Sequence, residues 1–192
     1  MKHLMIDIET LGVTPFSAVL SVAAVKFDPA TGEIGDSFYV NIDRDSSVAL
    51  GLMVDEKVEE WWTAPARAEA WQRMQDERVS AERAAEAFCD WFRRNCDFEN
   101  TIVWSHGAAF DFPILESYLR IAGQSVPWNF RNIRDDRTLF AVADVDFASL
   151  PKEGTYHDAM SDAVNQAKAV STALAKIEEL KEKAWKYDGV SD

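Results

Sequence analysis

Apolar and polar positions alternate at the start of the chain. In LMIDIE, an extended backbone puts Leu4, Ile6 and Ile8 on one face and Met5, Asp7 and Glu9 on the other. AVLSVAAVKFD then reads as a second strand, PATGEIG as a turn and DSFYVNID as a third strand. Short connections between three early strands predict an antiparallel meander. From about Val54 the spacing becomes helical. DEKVEEWW predicts a helix that stops before Ala64 and Pro65. SAERAAEAFCDWFRRN predicts another, with Ser80 as its N-cap and Ala84, Phe88 and Trp91 or Phe92 on one side. TIVWSHG reads as a short buried strand, and FPILESYLRIAG as a helix with Pro113 in its first turn and Gly123 at its end. A strand around Phe130 to Ile133, a short helix from Thr138 and a long helix from about Asp158 to Lys186 complete the series. This order predicts one α/β domain over residues 1–192. Its mixed five-stranded sheet is antiparallel first, parallel later and flanked by helices, with the core ending at 186 and a frayed tail over 187–192.

Composition bounds the picture. A chain of 192 residues with 47% hydrophobic content suffices for one substantial core. It has no run of 18 apolar residues, and Met-Lys-His leads straight into a strand, so neither a membrane span nor a signal peptide is expected and the cytoplasm is the expected compartment. Cys89 and Cys96 are seven positions apart on a predicted helix, about 10 Å along its axis, too far for a disulfide. Reduced thiols are expected. Twenty Lys and Arg against 33 Asp and Glu give a net charge of -13, which opposes electrostatically driven nucleic-acid binding. Acids that hold divalent cations would reverse that field locally.

Asp7 and Glu9 sharpen this point. Two strand rises place them roughly 7 Å apart on one face, where like charges repel and desolvation is costly unless water or a cation intervenes. Asp111, between two Phe residues and before a Pro, does not suit a solvated helix face; alone, it is also a candidate helix N-cap. Asp162 and Asp158 lie near the start of the last helix, Asp158 as a first-turn acid.

IDIETLG, GAAFDFPIL and HDAMSDA, in that order, resemble the three motifs of the DEDDh (DnaQ-like) 3′-5′ exonuclease superfamily. His157, five positions before Asp162, matches the His branch; the Tyr branch has Tyr where Asp158 stands. LPKEGTYHDAMSDA, PWNFRNIRDDRT and EEWW resemble the phage DNA exonuclease A group and prophage exodeoxyribonuclease VIII-like proteins, and the likeness runs from about Lys2 to Ala173. The resemblance implies an RNase H-like fold. It also implies metal-dependent hydrolysis of single-stranded DNA from the 3′ end to nucleoside 5′-monophosphates. Two Mg²⁺ ions, replaceable by Mn²⁺, would be held by Asp7, Glu9, Asp111 and Asp162, with His157 as general base.

For substrate contacts the resemblance points to Thr10, Leu11, Gly12 and Phe110 near the terminal nucleotide, and to Asn132. Trp61 and Trp62 diverge by about 100° on a helix, which assigns Trp61 to the core and leaves Trp62 divided between core packing and base stacking. Arg131 and Arg134 form, with Arg137, the densest basic cluster; phosphate contact and pairing with local acids both suit it. Two positions depart from the pattern: His106 is followed by Gly107 rather than Asn, and Arg131 replaces a frequent Trp. RNA trimming of the RNase T or oligoribonuclease kind is the nearest alternative function, since discrimination at the 2′-OH is not legible here. A catalytically silent nucleic-acid-binding subunit and an acidic Ca²⁺ chelator are more remote. No membrane partner is expected, and monomer and homodimer are both open.

Overall fold

The computed structural model describes residues 1–188. Five strands form one sheet in the order β3-β2-β1-β4-β5: β1 (His3–Thr10), β2 (Val19–Phe27), β3 (Ile34–Asn41), β4 (Ile102–Ser105) and β5 (Ile133–Asp135). The first three are antiparallel neighbours, and β4 and β5 run parallel to β1. Seven α-helices accompany them: α1 (Arg44–Ala49), α2 (Glu56–Thr63), α3 (Ala68–Gln75), α4 (Ala81–Asn95), α5 (Ala108–Ile121), α6 (Asp136–Ala143) and α7 (Ala159–Asp188). This is the expected mixed sheet.

The two faces of β1 enter different cores. Leu4, Ile6 and Ile8 pack with Phe88 and Phe92 of α4 and Leu115 and Tyr118 of α5. Met5 lies on the opposite face with Phe140 of α6 and the small side chains Ala163, Ala167, Val170 and Ala173 of α7. Those alanines, spaced at helical intervals, let α7 lie close against the sheet. Asp7 and Glu9 continue the Met5 face toward the end of β1, where α7 begins.

Several boundaries differ from expectation. The stretch Phe130–Asn132 is a 3-10 turn and the strand is Ile133–Asp135, because Asn129 caps that turn through the Arg131 amide. Helix α6 starts at Asp136, capped by Asp135, and β3 starts at Ile34. Helix α5 begins four residues early, so Pro113 lies inside it. The carbonyl that loses its partner there belongs to Ala109, an exposed residue. The short helices α1 and α3 were not expected. The expected frayed tail is helical through Asp188, and residues 189–192 lie outside the described residues. Cys89 and Cys96 are free, and among the described residues no helix is long and apolar enough to cross a membrane.

Candidate active site

The ends of β1, α5 and α7 converge on a cleft of about 420 Å³ lined by Asp7, Glu9, Asp111, His157 and Asp162. Strand β1 supplies Asp7 and Glu9 by its two-residue repeat. Asp111 comes from the first turn of α5 and is 3% exposed; it is not an N-cap. Gly107 occupies the capping position with φ of 108°, a backbone that side chains rarely adopt. Asp135 replaces the missing cap: its Oδ2 accepts from the Ala108 amide at 2.7 Å and its Oδ1 from the Thr138 amide at 2.8 Å. One carboxylate thus ties the starts of α5 and α6 together. Asp162 sits in the first turn of α7, whose start is capped by Asp158 through the Ser161 amide at 2.9 Å.

Burial dominates the electrostatics. It pushes Asp7 well above the usual carboxylate range, reinforced by Asp111 and opposed by the Gln166 side chain, whose Nε2 donates to Asp7 Oδ1 at 2.7 Å. Glu9 is raised by burial and then by Asp7 and Asp162. Burial brings Asp111 to about 7 and Asp162 to about 6. His157 is held below its ordinary value by burial and by Arg67, so its imidazole is neutral at neutral pH. Its backbone is left-handed, with φ of 61°. Such a conformation costs a non-glycine residue on the order of 1 kcal/mol.

The donor set fits a divalent cation. Glu9, His157 and Asp162 each offer a ligand atom within 4.8 Å of the others. Four carboxyl groups crowded into one cleft are the hard oxygen donors that Mg²⁺ and Mn²⁺ take, and a bound cation would offset the repulsion that raises them.

A second groove of about 400 Å³ adjoins the cleft, lined by Thr10, Gly12, Val13, Lys57, Val58, Trp61 and Phe110 among others. Trp61 departs from its expected core role, and Trp62 takes the core alternative. Trp62 borders this groove but is 2% exposed, and its Nε1 donates to the Thr10 carbonyl at 2.9 Å, so it packs chiefly as core. Trp61 is 39% exposed, stands edge-on to His157 and carries the Arg67 guanidinium 3.6 Å above its ring. The hydrophobic side of α2 is set by Trp62, and a neighbour 100° away must point elsewhere. Leu11 is fully buried, with its amide bonded to the Ala18 carbonyl, and acts in packing.

The expected basic cluster divides. Asn132 donates to the Glu99 carbonyl, Arg134 to the carbonyls of Arg131 and Ile133, and Arg131 stacks on Phe130. Arg131 and Asn132 precede β5 and Arg134 lies level with Trp104 and Met5, and none of the three lines the cleft. Arg137, the second residue of α6, does line the cleft, as do Lys152, His106 and Gln166. His106 Nδ1 lies 2.8 Å from Asp136 Oδ1. Gln166 had a legible signal, standing four positions after Asp162 on one helix face; Arg137 and Lys152 had none beyond their charge.

The fold is that of the DEDDh exonucleases. The family model for the 3′-5′ exoribonuclease Rv2179c-like domain matches residues 2–174, and the chain belongs to that family. It is a hydrolytic 3′-5′ exonuclease of a metal-dependent group. The exodeoxyribonuclease of Enterobacteria phage T4 is 29% identical over 206 aligned positions, covering 91% of this chain and 89% of the phage protein. Cell-death related nuclease 4 (CRN-4) shares the fold with a TM-score of 0.65 at 17% identity over 90% of this chain, which spans 63% of that protein. The nuclease domain of 3′hExo, a DEDDh family member solved bound to rAMP, has a TM-score of 0.59 at 15% identity, over 90% of this chain and 91% of its own.

Proposed function

We propose that this chain removes nucleoside 5′-monophosphates from the 3′ end of single-stranded DNA, using two Mg²⁺ ions for which Mn²⁺ can substitute. The observation that carries the reading is the convergence of Asp7, Glu9, Asp111, Asp162 and His157 on one cleft. The four carboxylates would hold the ions, which when bound would supply Lewis-acid charge at the phosphate and lower the pKa of a water. His157, neutral at working pH, takes the proton of the attacking water on an imidazole nitrogen. The water oxygen bonds to phosphorus as the bond from phosphorus to the 3′ oxygen of the preceding nucleotide breaks; that oxygen takes a proton from solvent and His157 returns its own to solvent, leaving a nucleoside 5′-monophosphate and a shortened strand with a 3′-hydroxyl. Gln166 orients Asp7 through its hydrogen bond. The terminal base lies in the groove beside Trp61 and Phe110, while Arg137 and Lys152 supply positive charge for phosphates at the cleft.

The phage exodeoxyribonuclease relative supports DNA as substrate. The family description, which names an exoribonuclease, favours RNA trimming as the second reading. Free Cys89 and Cys96 suit the reducing cytoplasm. Matched DNA and RNA oligonucleotides, labelled at either end, test sugar preference and polarity together. The proposal expects immediate mononucleotide release from 3′-labelled DNA and a descending ladder from 5′-labelled DNA; faster digestion of RNA would replace it with the second reading.

A further inference from the structure

The segment carrying His157 is gripped from α3, an element that contributes nothing to the carboxylate cluster. Arg73 Nη1 donates to Thr155 Oγ1 at 3.0 Å, and that hydroxyl donates to Glu69 Oε1 at 3.0 Å. On the other side of His157, the half-exposed Arg73 side chain sets its Nε 3.4 Å from Asp158 Oδ2, on a carboxylate only 2% exposed. The remaining Asp158 oxygen is bound by the Ser161 amide and hydroxyl, at 2.9 and 2.7 Å. One guanidinium therefore holds both flanks of a residue whose own backbone is left-handed. It is itself anchored, since the Arg73 carbonyl accepts from Asn41 Nδ2 at 2.9 Å at the end of β3. A side chain other than glycine keeps that conformation only where its surroundings over-determine it.

We propose that Arg73, Glu69 and Thr155 form a positioning latch that fixes the His157 turn, so that the imidazole stays beside Glu9 and Asp162. None of the three lines the cleft. The latch rests on the assignment of His157 as general base, for which misplacement by about 1 Å lowers the rate by up to roughly 100-fold. Thr155→Val removes the hydroxyl at constant shape and Thr155→Ser restores it; Arg73→Ala removes the grip altogether.

Each variant is assayed with Mg²⁺ on single-stranded oligonucleotides of the preferred sugar, and amide hydrogen exchange of residues 152–157 is followed without substrate. The expected result is a kcat loss of about 10- to 100-fold in Arg73→Ala and Thr155→Val with KM within roughly twofold. Exchange in the segment should quicken while the sheet is unchanged, and Thr155→Ser should recover both. Unaltered kcat and exchange in an active protein would overturn the latch alone, as would a Thr155→Val defect that Ser does not repair. A wild-type chain inert on both DNA and RNA would overturn the nuclease reading, and with it any catalytic role for the latch.

Discussion

At the scale of single residues, position in the cleft separates groups that act on substrate from groups that hold the fold. Asp7 makes the point in both directions. It is raised by burial and by its acidic neighbours, so the metal-free protein bears a penalty for keeping it ionised. Asp7→Asn should abolish turnover, by about 1,000-fold or more, yet raise the stability of the metal-free protein at pH 8. Oligonucleotide turnover and urea unfolding in EDTA measure the two halves. The tryptophans offer the complementary contrast. Trp62→Ala opens a cavity and strips the Thr10 carbonyl of its donor, so a loss of about 3 to 5 kcal/mol is expected. Trp61→Ala should cost stability only about 1 kcal/mol, since the ring is half-exposed and its main partner is Arg67. Loss of base stacking would instead raise KM by roughly 5- to 100-fold, which steady-state kinetics on the same oligonucleotides would detect.

At the scale of elements, the sheet was legible in the chain and the connections that serve the site were less so. Strand β1 displays its period without ambiguity, because one face is apolar throughout and the other turns acidic at Asp7. Helix α7 likewise shows its sheet-facing alanines. What escaped is governed by contacts distant in sequence. The start of α5 depends on Asp135, 27 positions from the Ala108 amide it caps, so the local signal at Pro113 suggested a later beginning. Helix α3 is short, and its polar side chains find partners in a loop 82 and 86 positions away. The arginine-rich stretch stands out by density, whereas only the fold reveals that Arg131 and Arg134 are engaged by Phe130 and local carbonyls outside the cleft that Arg137 lines. Gly107 ties these connections to catalysis. Gly107→Ala forces a side chain into φ of 108° and sets its Cβ 3.3 Å from Arg137 Cζ. A stability loss of about 1 to 3 kcal/mol is expected, together with a lower kcat as Asp111 and Arg137 shift. Urea unfolding and turnover of this variant should fall together.

At the scale of the whole molecule, the acidic cleft couples stability to pH and to metal. Burial lifts Asp111 to about 7 and Asp162 to about 6 in the folded chain, well above the ordinary carboxylate range, and Asp7 and Glu9 are also raised. Between about pH 4 and pH 7 the folded state therefore binds more protons than the unfolded chain, so stability in EDTA falls as pH rises through that window. His157 acts in the opposite sense, because a depressed imidazole favours folding as pH rises toward its unfolded value, but it is one group against four. A divalent cation competes with those same protons, and its stabilisation should be small at pH 5 and large at pH 8. With Mg²⁺ or Mn²⁺ at about 100 times its dissociation constant, linkage gives roughly 2.7 kcal/mol, or about 5 to 10 °C for a chain of this size. Thermal unfolding at both pH values, with metal and with EDTA, measures the difference directly. An equal shift at pH 5 and pH 8 would mean that the ion binds away from these carboxylates, and the same scans on Asp111→Asn would then show an undiminished increment.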